Sequence, residues 1–419
     1  MFSLFLAKRF FSKGQESSEG NRRASAPAIR IATAGIAVAV AVMIISVCFV
    51  KGFQREVSEK LIGLASHIEI QHPKFFNSPE SYPVITDASL LQQLKQVPDV
   101  GHVQRVSHKL GIFKTPDDFS GIALKGVGQD YRLDFMQKHL VTGSIPNFRD
   151  DRPSNQIIIS QTLAKRLGLK VGDKVYSYFF AETIKQRRFT IAGIYNTYLP
   201  QFDKTLVMTD IYTVNKLNSW NSNQSSGVEI QLKDARNLPA AERAVARIAA
   251  NKSKQTGTDY AVLGLHSNPR TASMLSWLEL LDANIMVILI IVIGVAGFTM
   301  ISGLLILILE RTTTIGVLKA LGASNTRIRH TFLWFAAFII GRGLLIGNAI
   351  GLSLMFIQQH FELIKLNPET YYVDSVPVEL DWTWILGINA ISLVVNIIAL
   401  ILPSFLVSQV QPAKAIQFD

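Results

Sequence analysis

Few residues of this chain invite a chemical reading by type and placement. Arg342 stands about midway along 331–358, a stretch otherwise free of charge. An ionisable side chain at that depth in a bilayer costs about 2.5–3.5 kcal/mol on insertion scales, so something must compensate it. Two readings are open: it faces an internal cavity and meets acidic or headgroup oxygens there, or it pairs with another span. His67 and His72 come nearest to a metal pair, but their five-residue separation along a strand puts them on opposite faces. No metal site is expected. The phosphate-binding pattern GxxxxGKS or GxxxxGKT is missing, as are HExxH, CxxC and GxSxG. The chain therefore has no P-loop of its own, no cofactor is expected in it, and nothing argues for catalysis.

The elements that hold these residues are mainly apolar runs. Residues 31–50 and 283–309 contain no charge, and each reaches the roughly 20 residues needed to cross a bilayer core. Together with 331–358 and 383–407 they make four expected spans in a 1 + 3 layout, the second beginning near 281. The first run is longer than a signal-peptide core and no small-residue cleavage site follows it, so it reads as an uncleaved anchor. Met1–Phe11, with Lys8 and Arg9 among Leu4, Phe5, Phe10 and Phe11, suits a short interfacial helix within a cytoplasmic segment 1–30. Lys and Arg in short segments set the orientation. Lys8, Arg9, Lys13, Arg22, Arg23 and Arg30 before the first span, and Arg311, Lys319, Arg327 and Arg329 in the loop 310–330, belong in the cytoplasm. The acidic loop 359–382 and the large segment 51–280 then lie on the far side, and the tail 408–419 returns.

The net charge of +11 is thus spent on segments facing anionic lipid, and nucleic acid is not expected as a partner. Cys48, the only cysteine, lies inside the first span. An exported domain without disulfides must be held by its apolar core.

Segment 51–280 mixes strand and helix signals without repeats, which predicts an α+β unit. Strands are expected over 66–71, 100–107, 122–127, 156–159, 174–180, 189–195, 206–208 and 228–232. Residues 51–64 read as a helical stalk continuing the first span. Ser160 can cap a helix over 161–167 that Gly168 ends, Asp210 can cap 211–218, and Pro239 sits early in a helix ending near Asn251. The strand-rich stretch 144–220 is expected as a subdomain inserted into a part built from both flanks.

Three segments resemble one family, the permease subunits of ABC-type lipoprotein-releasing systems (LolC/LolE), within the MacB/FtsX-like permeases. Gly52-Phe53-Gln54-Arg55-Glu56, with Gly63 and Ser66-His67-Ile68-Glu69, is similar to the stretch after that family's first helix. Glu310-Arg311 and Thr314–Ala323 resemble the loop between helices two and three of FtsX-like permeases, and 281–419 is read as that permease domain. Tyr371–Leu380 and Gln411–Ile416 resemble a periplasmic loop and the tail. Residues 157–173 and 189–194 look like the MacB-type periplasmic core. One departure is Phe179–Arg188, too short for the carrier-recruiting hook of LolC.

The resemblance implies an α-helical membrane protein with a MacB-type α+β periplasmic domain of two subdomains, placed in the bacterial inner membrane. It implies a separate LolD-like ABC ATPase that binds ATP and Mg, a second permease chain, identical or homologous, a lipoprotein substrate and a periplasmic carrier. A helix over 315–321 with Ile315, Leu318 and Leu321 on one face, ended by Gly322-Ala323, would be the coupling element, with Glu310, Arg311, Gly316 and Lys319 as further motif positions. A lipid-accepting cavity between the first and second spans of two subunits would be faced by Ala39, Met43, Val47, Ile288 and Val292, with Arg342 as a further candidate. Gly343, Gly347 and Gly351 recur every four residues and read as helix packing. A MacB-like exporter of peptides or amphiphiles, and an FtsX-like activator of cell-wall hydrolases, are the alternative readings.

Overall fold

The computed structural model describes residues 25–76, 78, 80–180 and 183–404. The expected interfacial segment Met1–Phe11, the end of the fourth expected span and the tail lie outside them.

The described chain opens on α1 (Ser25–Ala65), one helix of 41 residues. It continues through β1 (Ile68–Gln71), β2 (Val84–Ile85), α2 (Ala88–Lys95), β3 (Val100–Lys114), β4 (Phe119–Val127), α3 (Asp134–Lys138) and β5 (Leu140–Gly143). Then come β6 (Gln156–Ser160), α4 (Gln161–Leu167), β7 (Lys174–Phe179), β8 (Lys185–Tyr195), α5 (Pro200–Asp203), β9 (Leu206–Asp210) and α6 (Ile211–Asn218). The remainder is β10 (Gln224–Ser225), β11 (Gly227–Leu232), α7 (Leu238–Thr256), β12 (Ala261–Gly264), α8 (Pro269–Glu310), α9 (Thr312–Ala320), α10 (Asn325–Phe361), α11 (Pro368–Tyr371) and α12 (Trp382–Ser404).

Among the described residues four helices are long and apolar enough to cross a membrane, over Ile29–Ala65, Pro269–Glu310, Asn325–Phe361 and Trp382–Ile401. The chain forms two compact units. Of the described residues, one unit holds 25–55, Leu278–Lys365 and 375–404; the other holds those within Glu56–Trp277 and Leu366–Asp374.

In the first unit, small residues let α1 and α10 approach closely. A Cβ on Gly347 would lie 2.7 Å from the Ala37 carbonyl oxygen and 2.8 Å from the Val40 Cβ. Helices in lipid gain from such close packing because burial of apolar surface supplies no drive between them. A second device joins α10 to α12. The amides of Asn348 and Asn389 donate to each other at 2.6 and 2.9 Å, and each also donates to a carbonyl of its own helix.

The second unit is built on one ten-stranded sheet in the order β12-β1-β11-β3-β4-β9-β6-β8-β5, with β7 bridging β3 and β8. Most pairs are antiparallel, but β4–β9 and β6–β8 run parallel, so the sheet is mixed. Two apolar cores share it. Ile68, Ile70, Val103 and Ile230 pack with Leu90, Leu94 and Val245 of α2 and α7. Phe113, Leu124, Ile157 and Val207 pack with Leu163 and Leu167 of α4 and Val214 and Leu217 of α6. The stretch 144–220 supplies much of the second core, yet it is joined to its flanks by the pairings of β9 with β4 and β7 with β3.

Local capping works as the residues dictate. The Ser160 hydroxyl accepts from the Leu163 N–H and Gly168 adopts φ 64°, closing α4 at both ends. Asp210 likewise accepts from Thr213 N–H at the start of α6. Helix α7 runs past the expected end near Asn251 to Thr256, where Gly257 stops it at φ 68°. Its last turn is anchored by Lys252, whose ammonium donates to Asp87 at 2.6 Å. Strand β3 also exceeds expectation, reaching Lys114, because its second half gains β4 and β7 as partners.

Candidate functional site

Two groups of residues concentrate the polar contacts. The first, in the membrane unit, gathers Lys51 to Arg55 of α1. Lys51 meets Asp282 at 2.8 Å, and Gln54 donates to the Leu278 carbonyl at 2.9 Å, both on α8. Arg55 pairs with Glu379 at 3.5 Å, and the Glu379 N–H donates to the Cys48 carbonyl at 3.1 Å. Gly52 makes room for this contact, since a Cβ there would sit 2.6 Å from the Pro377 carbonyl oxygen. Phe53 is buried beside Phe49. Two motifs far apart in sequence, around Gly52 and around Pro377, therefore form one clamp.

In the loop after α8 the helix spans Thr312–Ala320, and Gly322 follows at φ 86°. Its outward face differs from the expected one. Ile315 is 1% exposed, packed in the membrane unit's core with Leu318 partly buried against it, and Gly316 is buried too. Leu321 is 79% exposed, and Val317 also faces outward. Glu310 is exposed, whereas Arg311, Lys319 and Ala323 are half-buried.

The expected cavity face of α1 needs a larger correction. Ala39, Met43 and Val47 are buried within this chain's own four helices, Met43 completely, so they do not line a space between chains. The outward stripe of α1 is Ile31, Val38 and Val42, about one helical face away. Ile288 of α8 is exposed and Val292 half-buried. Arg342 is exposed on α10 and forms no ion pair or hydrogen bond among the described residues, which removes the reading that it pairs with another span of this chain. Gly343, Gly347 and Gly351 all meet α1, at Ile36, Ala37 and Ala41 among others.

The second group lies in the sheet unit. There the stalk-motif residues become parts of a buried charge network. Glu56 lies one turn from Lys60, 3.9 Å away, and Lys60 donates to the Tyr372 carbonyl. Gly63 sits against the Phe135 ring. Ser66, at φ 61°, ends α1 and starts the turn into β1. His67 accepts from the Leu232 N–H through Nδ1 at 3.2 Å, and burial pushes its pKa down, so it stays neutral and fixes strand register. Among the described residues no three or more His, Cys, Asp or Glu side chains gather closely enough to hold a metal ion.

Register places Glu69 of β1 directly opposite Glu229 of β11, which in turn faces Gln104 of β3. Two buried carboxylates so placed repel each other, so compensation is required. Lys125 of β4 supplies it, meeting Glu229 at 2.6 Å and donating to the Leu64 carbonyl at 2.9 Å. Burial would lower the Lys125 pKa, but the Glu229 charge holds it above the usual range. Gln104 donates to Glu229 at 2.8 Å and Asn268 to Glu69 at 2.9 Å. Burial raises the Glu69 pKa despite the nearby Arg270. Lys125 escaped sequence reading, although a lysine inside the apolar run 122–127 was the available signal.

The Glu69 shift has a measurable sign. A carboxyl whose folded pKa is raised contributes stability that is present below its unfolded value and lost as pH rises through the folded one. Thermal unfolding of the purified chain is therefore expected to lose less Tm between mildly acidic and alkaline pH in Glu69→Gln than in wild type. Equal slopes would remove Glu69 as the titrating group.

Residues 31–248 match the MacB-like periplasmic core domain, and 286–412 match the FtsX-like permease C-terminal domain. The chain is 24% identical over 411 residues to the lipoprotein-releasing system transmembrane protein LolC of Neisseria meningitidis, covering 93% of this chain and 94% of the relative. It is 23% identical over 416 residues to LolE of Haemophilus influenzae, covering 91% and 92%. A solved periplasmic region of MacB from Actinobacillus actinomycetemcomitans aligns over 48% of this chain and 90% of its own, with TM-score 0.34 and 13% identity. The chain belongs to the LolC/LolE family of the MacB/FtsX-like permease superfamily.

Proposed function

We propose that this chain is the permease subunit of an ABC transporter that releases lipoproteins from the bacterial inner membrane to a periplasmic carrier. The observation that carries the reading is the extent of the likeness: LolC and LolE match over nine-tenths of this chain and of themselves, through both matched domains. ATP and Mg are bound by a separate LolD-like ATPase subunit, in keeping with the missing phosphate loop in this sequence. A second permease chain completes the cavity, since four spans are too few to enclose a large amphiphile. Helix α8 leaves Ile290, Val295 and Phe298 exposed, an apolar face suited to lipid or to that second chain.

The mechanism is mechanical. Closure of the ATPase pushes α9, and the displacement passes through α8 and α10 to the clamp at Gly52 and Glu379. Val317 and Leu321 make the docking surface, because Ile315 and Leu318 are engaged inside the bundle. Val317→Asp combined with Leu321→Asp is expected to reduce co-purification of the ATPase by about tenfold or more, as loss of a buried apolar anchor does. Pull-down from detergent extracts reads this directly; undiminished recovery would remove the coupling role of α9. Depletion of the chain is expected to strand acylated proteins in the inner membrane. Normal lipoprotein sorting on depletion would favour the exporter or hydrolase-activator reading instead.

A further inference from the structure

A cavity of about 440 Å³ lies within the sheet unit, inside the range of small-molecule pockets, roughly 300–1,000 Å³. Much of its wall is apolar, from Leu110 and Ala123 on adjacent strands and from Phe202 and Leu206. Its polar groups are not equivalent. Lys125 and Glu229, both almost fully buried, neutralise each other at 2.6 Å. His108 is kept neutral, burial pushing its pKa well below the ordinary value. Glu69 accepts from Asn268, and burial biases its carboxyl toward the protonated form.

Arg270 is different. Its guanidinium lies over the Phe75 ring, 4.2 Å from the centroid, and among the described residues it donates no hydrogen bond and forms no ion pair. A guanidinium is always charged and presents a planar fork of donors matched to carboxylate or phosphate. Stacking on an aromatic ring orients that plane and leaves its edges free.

We propose that this cavity binds an anionic amphiphile, with a carboxylate or phosphate head on Arg270 and an apolar body against Leu110, Ala123, Phe202 and Leu206. Leu64 and Ala65, the end of α1, and Arg270, in the first turn of α8, both border the cavity. Ligand there contacts the ends of two of the helices that carry membrane spans. The inference rests on the cavity's chemistry and is independent of the transport reading.

The test uses the full-length chain in nanodiscs with a diazirine-bearing dodecanoate as probe. Monododecyl phosphate and dodecanoate methyl ester compete in separate arms, and labelled peptides are mapped by mass spectrometry. Saturable labelling is expected on peptides around 64–75, 108–123 and 201–206. Labelling should fall about tenfold in Arg270→Gln, the cost of one charge-assisted hydrogen-bonded pair, and should be lost in Ala123→Trp, which fills the cavity. Leu110→Trp replaces that variant if it fails to fold, because Leu110 is 49% exposed and tolerates bulk. Unlabelled dodecanoate competes in a further arm: competition by the phosphate at lower concentration than by dodecanoate identifies a phosphate-headed lipid as the ligand, and the reverse identifies a fatty acid. Labelling confined to the membrane helices, unchanged in Arg270→Gln, or competed equally by the methyl ester would overturn the proposal.

Discussion

Lys125→Met is expected to destabilise the sheet unit by about 3–5 kcal/mol, the cost of leaving one member of a buried ion pair uncompensated. The side chains of Lys125 and Glu229 are each only 3% exposed, so water cannot take over the charge that methionine abandons. The loss is compounded because Glu69 stands directly across from Glu229 in the β1–β11 register. Two facing carboxylates without a cation raise each other's pKa, and one must take up a proton for the fold to persist. Thermal or denaturant unfolding of the purified chain measures the effect. The double variant Lys125→Met with Glu229→Gln should recover much of the loss, since removing both charges of a buried pair is often near neutral. If Lys125→Met alone left Tm unchanged, the network would have no structural weight.

Gly347→Leu should strongly damage the packing of the membrane unit. Any Cβ at 347 meets the Ala37 carbonyl oxygen at 2.7 Å and the Val40 Cβ at 2.8 Å, and the carbonyl is backbone that cannot rotate away. Overpacking of this kind costs about 1–3 kcal/mol in soluble cores. In lipid it also separates α1 from α10 along the stripe through Gly343 and Gly351, where close packing is the main attraction. Gly341→Leu is the internal control: it lies on the same helix, yet nothing stands within 4 Å of its Cβ. Steady-state level and detergent-extracted Tm should fall for Gly347→Leu, by less for Gly347→Ala, and hardly at all for Gly341→Leu. Equal behaviour of the two leucine variants would place the helix contact elsewhere.

The residues that were legible in advance share a property: their signals are local. Four charge-poor runs mark helices able to span a membrane, and Ser160, Gly168 and Asp210 bracket α4 and α6 through contacts no more than a few residues away. Each expected strand exists, because an apolar run bounded by turn residues names itself. The strands that escaped notice are the short ones: β2 and β10 are two residues each and exist by pairing with each other, while β5 and β12 are edge strands completed by β8 and β1.

Helical phase was not legible in the same way. Met43 and Val47 are as apolar as Val38 and Val42, and nothing in their identity says which pair turns into the helix bundle and which turns outward. The same ambiguity put Ile315, Leu318 and Leu321 on one expected face of α9, of which Leu321 projects while Ile315 is buried. Arg342 shows the opposite case, a residue that composition flagged and whose lack of a partner among the described residues only the assembled helices reveal.

The sequence by itself determined how many helices can cross a membrane, that an α+β unit separates the first from the second, and where several helices start and stop. These follow from hydropathy and capping among near neighbours. Only the tertiary structure decided that Glu69 opposes Glu229, that Lys125 neutralises one of them, and that Gly52 meets Pro377. Such facts depend on register and packing between segments far apart in the chain, which neighbouring residues cannot specify.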